Sequence, residues 1–451
     1  MKIICHVGPW CVQQYSEIAR NVEVGSQIRL ISGFRKIDET GMADRYYKNV
    51  ASGITASAHN DIDPTDFIER CRLLRSLTRE DALLHLFSMH KAISDTFDRE
   101  RPDIVISEII DQYLIDLIKF ECDKRKIPFF GLVVSFVNGY FRITSRGEKS
   151  LTRNVSIPEI KKVMREMEQV SYVPNFVSNP SNNLKRYISI FKRMASNWLR
   201  IPYFFLKRYY TREKYNYHYW ASQISAQNSL HFFPAFNLGE RSWKELAKKS
   251  KRTVIYHPLQ FYPEATIEYW CECLKDIEYE KKLVDIIRSM SGEFHFLLKE
   301  HPNAVGARST TLYKALKNLD NVTLVPTNVA SNTVVDESSA VLVWTGSSGF
   351  EAALRGKPVF TICRPYFMFG DKFKEIDENT TDHEISKHIE TNSGELEDCE
   401  KIDLIANLLD GLRPGKYIND ASWSSADPDH MKQALEIGQE IHKDLLKLKS
   451  C

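Results

Sequence analysis

The chain has 451 residues, 43% of them hydrophobic, with 61 basic against 59 acidic side chains and a formal net charge of +2. That length exceeds one ordinary core and fits two or three domains. The near-balance of charge excludes a nucleic-acid-type polycation, so any electrostatic partner must be met by a local patch.

Residues 2–7 form a short apolar run ending at Gly8-Pro9, and residues 13–21 then take helical character. Strand, glycine turn and helix open an α/β unit. Residues 28–32 are a second strand candidate, and 64–100 are long, charged and helical in period. The run DIVI (103–106) reads as a buried strand, 112–124 as a helix and PFFGLVVS (128–135) as a further strand. Strands alternating with helices imply a parallel sheet, and a first domain spanning 1–150.

Residues 151–250 change character and are expected to form a helical basic and aromatic insertion. Between Ser181 and Lys214 stand Lys185, Arg186, Lys192, Arg193, Arg200, Lys207, Arg208, Arg212 and Lys214, against one acid, Glu213, with aromatic and aliphatic residues interleaved. Three readings fit this basic amphipathic stretch: helices on an anionic membrane surface, a nucleic-acid patch, or an insertion packed on its own protein. No recognised nucleic-acid module surrounds it, so no nucleic-acid partner is expected. A second α/β domain is expected over 251–425. Its strand candidates are 253–257, 294–299, 322–325, 340–344 and 359–363, and its helical stretches are 265–291 and 350–355. A helix closes the chain over 426–451.

Nine scattered cysteines fit a reducing cytoplasm better than a disulfide framework. Cys271 and Cys273 have no second Cys or His pair at zinc spacing and read as thiols; no metal site and no cofactor are expected. The first ten residues carry no signal-peptide pattern, and no apolar run reaches the roughly 18 residues of a membrane span.

The chemistry concentrates in AVLVWTGSSGFEAALRGKPVF (340–360). A strand ends at Trp344, Thr345-Gly346-Ser347-Ser348-Gly349 turns the chain, and a short helix follows until Gly356 and Pro358 stop it. Glycines admit a ligand close to the backbone, serines offer hydroxyls, and the first helical N–H groups are unpaired and attract anions, phosphate above all. Glu351 can accept hydrogen bonds from ribose hydroxyls or can cap its helix. Lys299-Glu300-His301-Pro302 follows the strand FHFLL at the same sheet end; Pro302 restricts His301 to an extended backbone. The imidazole can hydrogen-bond or charge-pair with a phosphate, and Lys299 adds charge. Residues 256–264 (YHPLQFYPE) follow the first strand of this domain and line a cleft or link the domains, with Gln260 and Glu264 as their polar contacts.

PLQFYPEAT (258–266), LLKEHPN (297–303) and TGSSGFEAALRGKPVF (345–360) resemble the motifs of the bacterial capsule polysaccharide biosynthesis family, in the same order. That family includes transferases of 3-deoxy-D-manno-octulosonic acid (Kdo) with CMP-activated donors. The resemblance implies a GT-B architecture, two Rossmann-like domains facing across a cleft, and a metal-independent glycosyltransferase. It would place His301, Ser347 and Ser348 on the nucleotide phosphate and Glu351 on the ribose. FVNGYFRITSRG (136–147) echoes an aromatic-Arg element of the family, but Val137-Asn138 stands where acidic residues usually precede the glycine.

A transferase needs a carboxylate to take the acceptor proton or to stabilise charge at the anomeric carbon. The nearest substitutes are Glu108 and Asp111, after the strand DIVI, with Glu108 preferred and helix capping as its structural alternative. Arg142 can bind a sugar-acid carboxylate bidentately or make a structural ion pair. The resulting expectation is a sugar transfer onto a lipid-linked or growing surface glycan, at the inner face of the cell membrane. Two rivals are a CDP-glycerol or polyol-phosphate transferase and a non-catalytic membrane-associated scaffold that kept a nucleotide fold.

Overall fold

The computed structural model describes residues 1–54, 62–149, 151–169, 172–174, 183–229, 239–301, 304, 308, 310–419 and 421–450. Two six-stranded sheets organise them. The first contains β1 (Lys2–His6), β2 (Gln27–Ile31), β3 (Ile104–Glu108), β4 (Phe129–Val134), β5 (Tyr140–Ile143) and β12 (Leu412–Pro414), in the order β12-β5-β4-β3-β1-β2. The second contains β6 (Thr253–Pro258), β7 (Phe294–Lys299), β8 (Val322–Val325), β9 (Ala340–Val343), β10 (Val359–Thr361) and β11 (Phe373–Glu375), in the order β11-β10-β9-β6-β7-β8. Every pairing in the second sheet is parallel; in the first, β5 runs antiparallel to β4 and β12 antiparallel to β5.

The strand sequences explain the architecture. IVISE and FHFLLK are buried at every position, as strands covered by helices on both faces must be. Each sheet accordingly has an apolar cluster on each side. The two α/β domains expected from the alternation are present, and the fold class read from the sequence holds.

Several elements differ from expectation. The stretch 64–100 breaks into Pro64–Arg70, Arg72–Arg75 and Arg79–Glu100, because Cys71 is extended and the Thr78 hydroxyl caps the third helix by accepting from Asp81 N. The stretch 265–291 becomes the short helix Ala265–Glu268, a 3-10 turn at Leu274–Asp276 and the helix Tyr279–Ser289. The three-residue strands β11 and β12 are too short to show a period.

Residues 151–250 divide three ways. Ile157–Met167 packs on Asp398–Asp410, Asn183–Tyr210 pairs with Tyr217–Ser229, and Trp243–Lys249 covers β7 and β8. The chain re-enters the first sheet as β12, so it leaves the second domain before residue 425. Its terminal helix, Pro428–Ser450, then packs on Val12–Arg20. Gly438 permits that approach: a Cβ there would stand 2.7 Å from Asn21 Cβ.

Cys271 is not a free thiol. It forms a disulfide with Cys363, 92 residues away, joining the segment after β6 to the end of β10. Among the described residues no helix is long and apolar enough to cross a membrane.

Candidate active site

In each sheet the chain order reverses beside its first strand. β6 lies between β7 and β9, so successive connections leave it in opposite directions; β1 lies likewise between β2 and β3. Such switch points open a crevice at the carboxyl ends of the strands, where open α/β sheets bind ligands. The Gly/Ser turn follows β9 and the Gln260 loop follows β6, so both border the second crevice. Glu108 and Asp111 follow β3 and border the first.

The second crevice is built around buried side chains. His257 Nδ1 donates to Leu342 O (2.8 Å), which leaves Nε2 to accept from the Tyr279 hydroxyl (3.0 Å). Tyr279 in turn accepts from Gln260 N (2.9 Å), which fixes the loop after β6. Arg308 donates from Nε to Glu300 Oε2 (2.7 Å) and from Nη2 to both Glu300 Oε1 (3.1 Å) and the Gln260 carbonyl. One guanidinium therefore ties the β6 and β7 loops together. Burial would ordinarily penalise this charge, but the Glu300 carboxylate offsets it and holds the guanidinium above its usual range. Nothing in the local sequence marks Arg308, because its partners are eight and forty-eight residues away.

The three sequence segments meet here. The Gln260 amide lies against Gly346, where a Cβ would stand 2.5 Å from Nε2. The Phe261 ring packs on His301 at 5.6 Å between centroids. Thr345 Oγ1 donates to Thr266 O (3.2 Å). Gly349 N closes the turn on Gly346 O (3.0 Å), and the helix Ser348–Leu354 begins without a side-chain cap at Ser347. With barely two turns its axial dipole is small, so what the turn can offer a ligand is its backbone N–H groups and the Ser347 and Ser348 hydroxyls.

Burial holds His301 near 4, Glu300 pulling it up and Lys299 and Arg308 pressing it down. The imidazole is thus neutral at pH 7 and able to donate a hydrogen bond to a ligand; the charge pairing allowed by the sequence needs a proton taken up with the ligand. Lys299 is buried and donates to Ser331 Oγ (3.1 Å). Pro302 lies outside the described residues.

Glu351 lines a cavity of about 380 Å³ with Tyr172, Asn332, Arg355, Leu396 and Lys401. That volume falls in the range of small-ligand sites. Burial lifts the Glu351 carboxyl to about 7, with Arg355 opposing. Tyr172 connects this cavity to the first domain: its hydroxyl donates to Phe136 O (2.6 Å) and accepts from Asn138 N (3.2 Å).

At the first crevice the two carboxylates differ. Glu108 Oε1 accepts from Trp10 Nε1 (2.8 Å) and Asn419 Nδ2 (3.0 Å). Burial raises its pKa while those bonds and one from Cys11 lower it. Asp111 Oδ1 has no hydrogen-bond partner among the described residues. Burial lifts this carboxyl to about 7; Arg72 draws it down and Glu108 and Glu268 push it up.

Arg72 also links the domains, since its Nε lies 2.8 Å from Glu268 Oε2, and Arg75 Nη2 meets Glu268 Oε1 at 2.5 Å. Glu264, held by Thr266 Oγ1 (2.8 Å), stands near the same Arg72. Sequence reading missed Arg72 and Glu268, because a helical charge pattern does not show which charge crosses to another domain.

Arg142 makes no ion pair among the described residues. Its guanidinium stacks 3.3 Å from the Tyr366 ring centroid and 5.0 Å from that of Trp270, and Nη2 donates to Gly147 O and Glu148 O. Those contacts join the two domains, and Nη1 is buried without a partner among the described residues.

A family model described as capsule polysaccharide biosynthesis protein matches residues 207–371, which contain all three segments of the second crevice. The resemblance to that family holds. No curated protein matches the chain. Among solved structures, a KpsC beta Kdo 2,7 transferase of Thermosulfurimonas dismutans aligns at 10% identity over 96% of this chain and 99% of its own, with a TM-score of 0.38. A KpsC beta Kdo 2,4 transferase of the same organism aligns at 12% over 70% and 82%, with a TM-score of 0.34. The UDP-GlcNAc 2-epimerase of Methanocaldococcus jannaschii aligns at 12% over 99% of each chain, with a TM-score of 0.29.

Proposed function

We propose that the protein is a glycosyltransferase of capsule or related surface polysaccharide synthesis. In this reading it takes a sugar acid of the Kdo type from a CMP donor and passes it to a lipid-linked or growing glycan at the inner membrane face. The observation that carries the reading is the convergence of Gln260, the Gly346–Ser348 turn and His301 on the switch point of the second sheet. The donor phosphate would sit over the turn, accepting from its N–H groups, from Ser347 and Ser348 and from neutral His301, with Lys299 beneath. The nucleoside would occupy the Glu351 cavity.

Asp111 is assigned as the base. Its pKa near 7 suits proton abstraction at neutral pH. The acceptor hydroxyl attacks the anomeric carbon and its proton passes to Asp111. The bond from that carbon to the phosphate oxygen breaks, and CMP leaves with the electron pair. His301 and the turn meet the charge gained by the phosphate. The rival of a non-catalytic scaffold draws on Val137-Asn138, where the family's acid is replaced.

A thermal-shift comparison of CMP, CDP, UDP and GDP tests the reading. Ligand at a hundredfold excess over its Kd stabilises by about 2.7 kcal/mol. CMP is expected to stabilise the wild type and to lose most of that effect in His301→Ala. Stabilisation by CDP alone would favour a polyol-phosphate transferase. Stabilisation by UDP or GDP alone refutes the CMP donor, and no response to any nucleotide refutes the donor site. Nucleotide binding without sugar transfer, unchanged by Asp111→Asn, would establish the scaffold.

A further inference from the structure

The helix Asn183–Tyr210 packs on Tyr217–Ser229 and buries Met194 and Asn197 against the protein. Its other face is uncovered. Leu199 is 75% exposed, Tyr209 83% and Tyr210 91%, and Phe191, Trp198 and Leu206 are each more than half exposed. At about 100° per residue these six side chains, with Ile188, Tyr203 and Phe205 between them, fall within roughly 160° of arc; Asn197 lies on the far side of the helix and Met194 just beyond one edge of the arc. Isolated exposed apolar residues are ordinary; a stripe running the length of a helix marks an interaction surface.

Charge selects the partner. The helix NLKRYISIFKRMASNWLRIPYFFLKRYY contains no aspartate or glutamate and seven lysines or arginines. Lys207 and Arg200 follow one border of the stripe, and Lys192 lies just inside it. Aromatic and aliphatic side chains flanked by basic ones suit the headgroup boundary of an anionic bilayer. A second copy of the helix would instead set like charges against each other.

The turn after the helix fixes this surface to the first crevice. Glu213 Oε1 accepts from Arg35 N (2.8 Å) and Asn216 Nδ2 donates to Gly33 O (2.9 Å). His218 packs on Trp10 at 4.4 Å between centroids and hydrogen-bonds Gln112 Nε2 (3.2 Å). Trp10 donates to Glu108, and Gln112 directly follows Asp111 in the chain.

We propose that the exposed face of Asn183–Tyr210 lies in the plane of an anionic lipid surface, and that its fixed end presents the first crevice to an acceptor carried in that surface. The docking stands on exposure and charge alone; the presentation of an acceptor rests on the transferase reading. The test is co-sedimentation of the full chain with vesicles of phosphatidylcholine, or of phosphatidylcholine and phosphatidylglycerol in equal parts. Binding is expected to the anionic vesicles only and to weaken with salt. Neutralising Lys192, Arg200 and Lys207 to Gln should weaken it roughly fivefold per charge. Leu199→Ser with Leu206→Ser should abolish it without lowering the melting temperature, because both sites are exposed. The proposal is overturned if the wild type ignores anionic vesicles at low salt, or if the double Ser variant binds like wild type. It is also overturned if the apolar face proves to hold two copies together, with the Ser variant monomeric and the wild-type dimer unbound to lipid. Nucleotide thermal shifts need no lipid, so failure here leaves the donor reading standing, and the reverse.

Discussion

Two glycines three residues apart in the Gly/Ser turn should respond to the same substitution in opposite ways. At Gly346 an added Cβ would stand 2.5 Å from Gln260 Nε2 but 3.5 Å from its Cδ and 3.6 Å from Ser348 Oγ. Only the end of a flexible side chain must move, so Gly346→Ala should cost less than about 1 kcal/mol. At Gly349 the Cβ would stand 2.9 Å from Val343 Cγ2 and 3.2 Å from Val359 Cγ1. Those belong to stiff β-branched side chains on two buried strands. Overpacking there costs about 3 kcal/mol, and the gain of alanine over glycine within a helix returns about 1. The net of about 2 kcal/mol lowers the melting temperature by roughly 4–8 °C for a domain of this size. The assay is a melt with and without CMP. Gly346→Ala should melt within about 2 °C of wild type yet lose at least tenfold in affinity, about 1.4 kcal/mol of the CMP stabilisation. Gly349→Ala should melt early. A Gly346→Ala protein that binds CMP like wild type removes the turn from the donor site; a Gly349→Ala protein as stable as wild type refutes the packing argument.

Asp111→Asn should lower turnover by about 10²–10⁴-fold while leaving CMP binding intact, whereas Glu108→Gln should act mainly on stability, because Trp10 and Asn419 already hold its carboxylate; equal loss in both variants would return the base to Glu108. Reduction of Cys271–Cys363 removes a 92-residue loop closure, about 4–5 kcal/mol by chain entropy, so a reducing agent should lower the melting temperature of wild type but not of Cys271→Ser with Cys363→Ser. Glu351 carries a folded pKa near 7 against an ordinary 4.5, so the folded state holds a proton that the unfolded state has lost. Stability should therefore fall as pH rises through that window, by something on the order of 3 kcal/mol, and Glu351→Gln should flatten the fall. His301, held near 4, acts with the opposite sign: its contribution falls as pH drops from about 6.5 towards 4, and His301→Ala should remove that fall.

The parallel-sheet domains were legible because their strands announce themselves. DIVI and FHFLLK are short, apolar and bounded by breakers, and burial on both faces is what such runs require. The strand, Gly/Ser turn and short helix were legible for a related reason: glycines, serines and a strand end are local features. What the sequence hid is long-range. Arg308 joins two loops that are far apart along the chain, and Arg72 reaches a glutamate of the other domain. The Cys271–Cys363 pairing was hidden as well, since scattered spacing says nothing about which sulfurs meet. The strand β12 was invisible because three residues show no period, yet it returns the chain to the first domain and brings Asn419 onto Glu108.

Val137-Asn138 takes on a different meaning once the loop is placed. Phe136 packs on Phe350 at 5.6 Å and on Phe367 at 5.8 Å between centroids, Val137 is buried, and Asn138 N donates to Tyr172. The loop where the family's acid is expected is therefore occupied in holding the first domain against the helix that follows the Gly/Ser turn. A carboxylate at the buried position 137 would lie beside aromatic rings, which is costly, and one at 138 would lose the amide donor that now meets Val173 O (3.2 Å). The end of β3, where Asp111 lies, is one strand over from the end of β4, about 5 Å away. There Arg72 offsets the charge, and in the proposed transferase the crevice of the first sheet would receive the acceptor. On this reading the acid has moved by one strand spacing, and the position it left has become part of the contact between domains. The consequence can be measured: Asn138→Asp should weaken the fold without raising turnover, and should not rescue Asp111→Asn. An Asn138→Asp protein of normal stability that restores activity to Asp111→Asn would show that the loop still serves as the catalytic position.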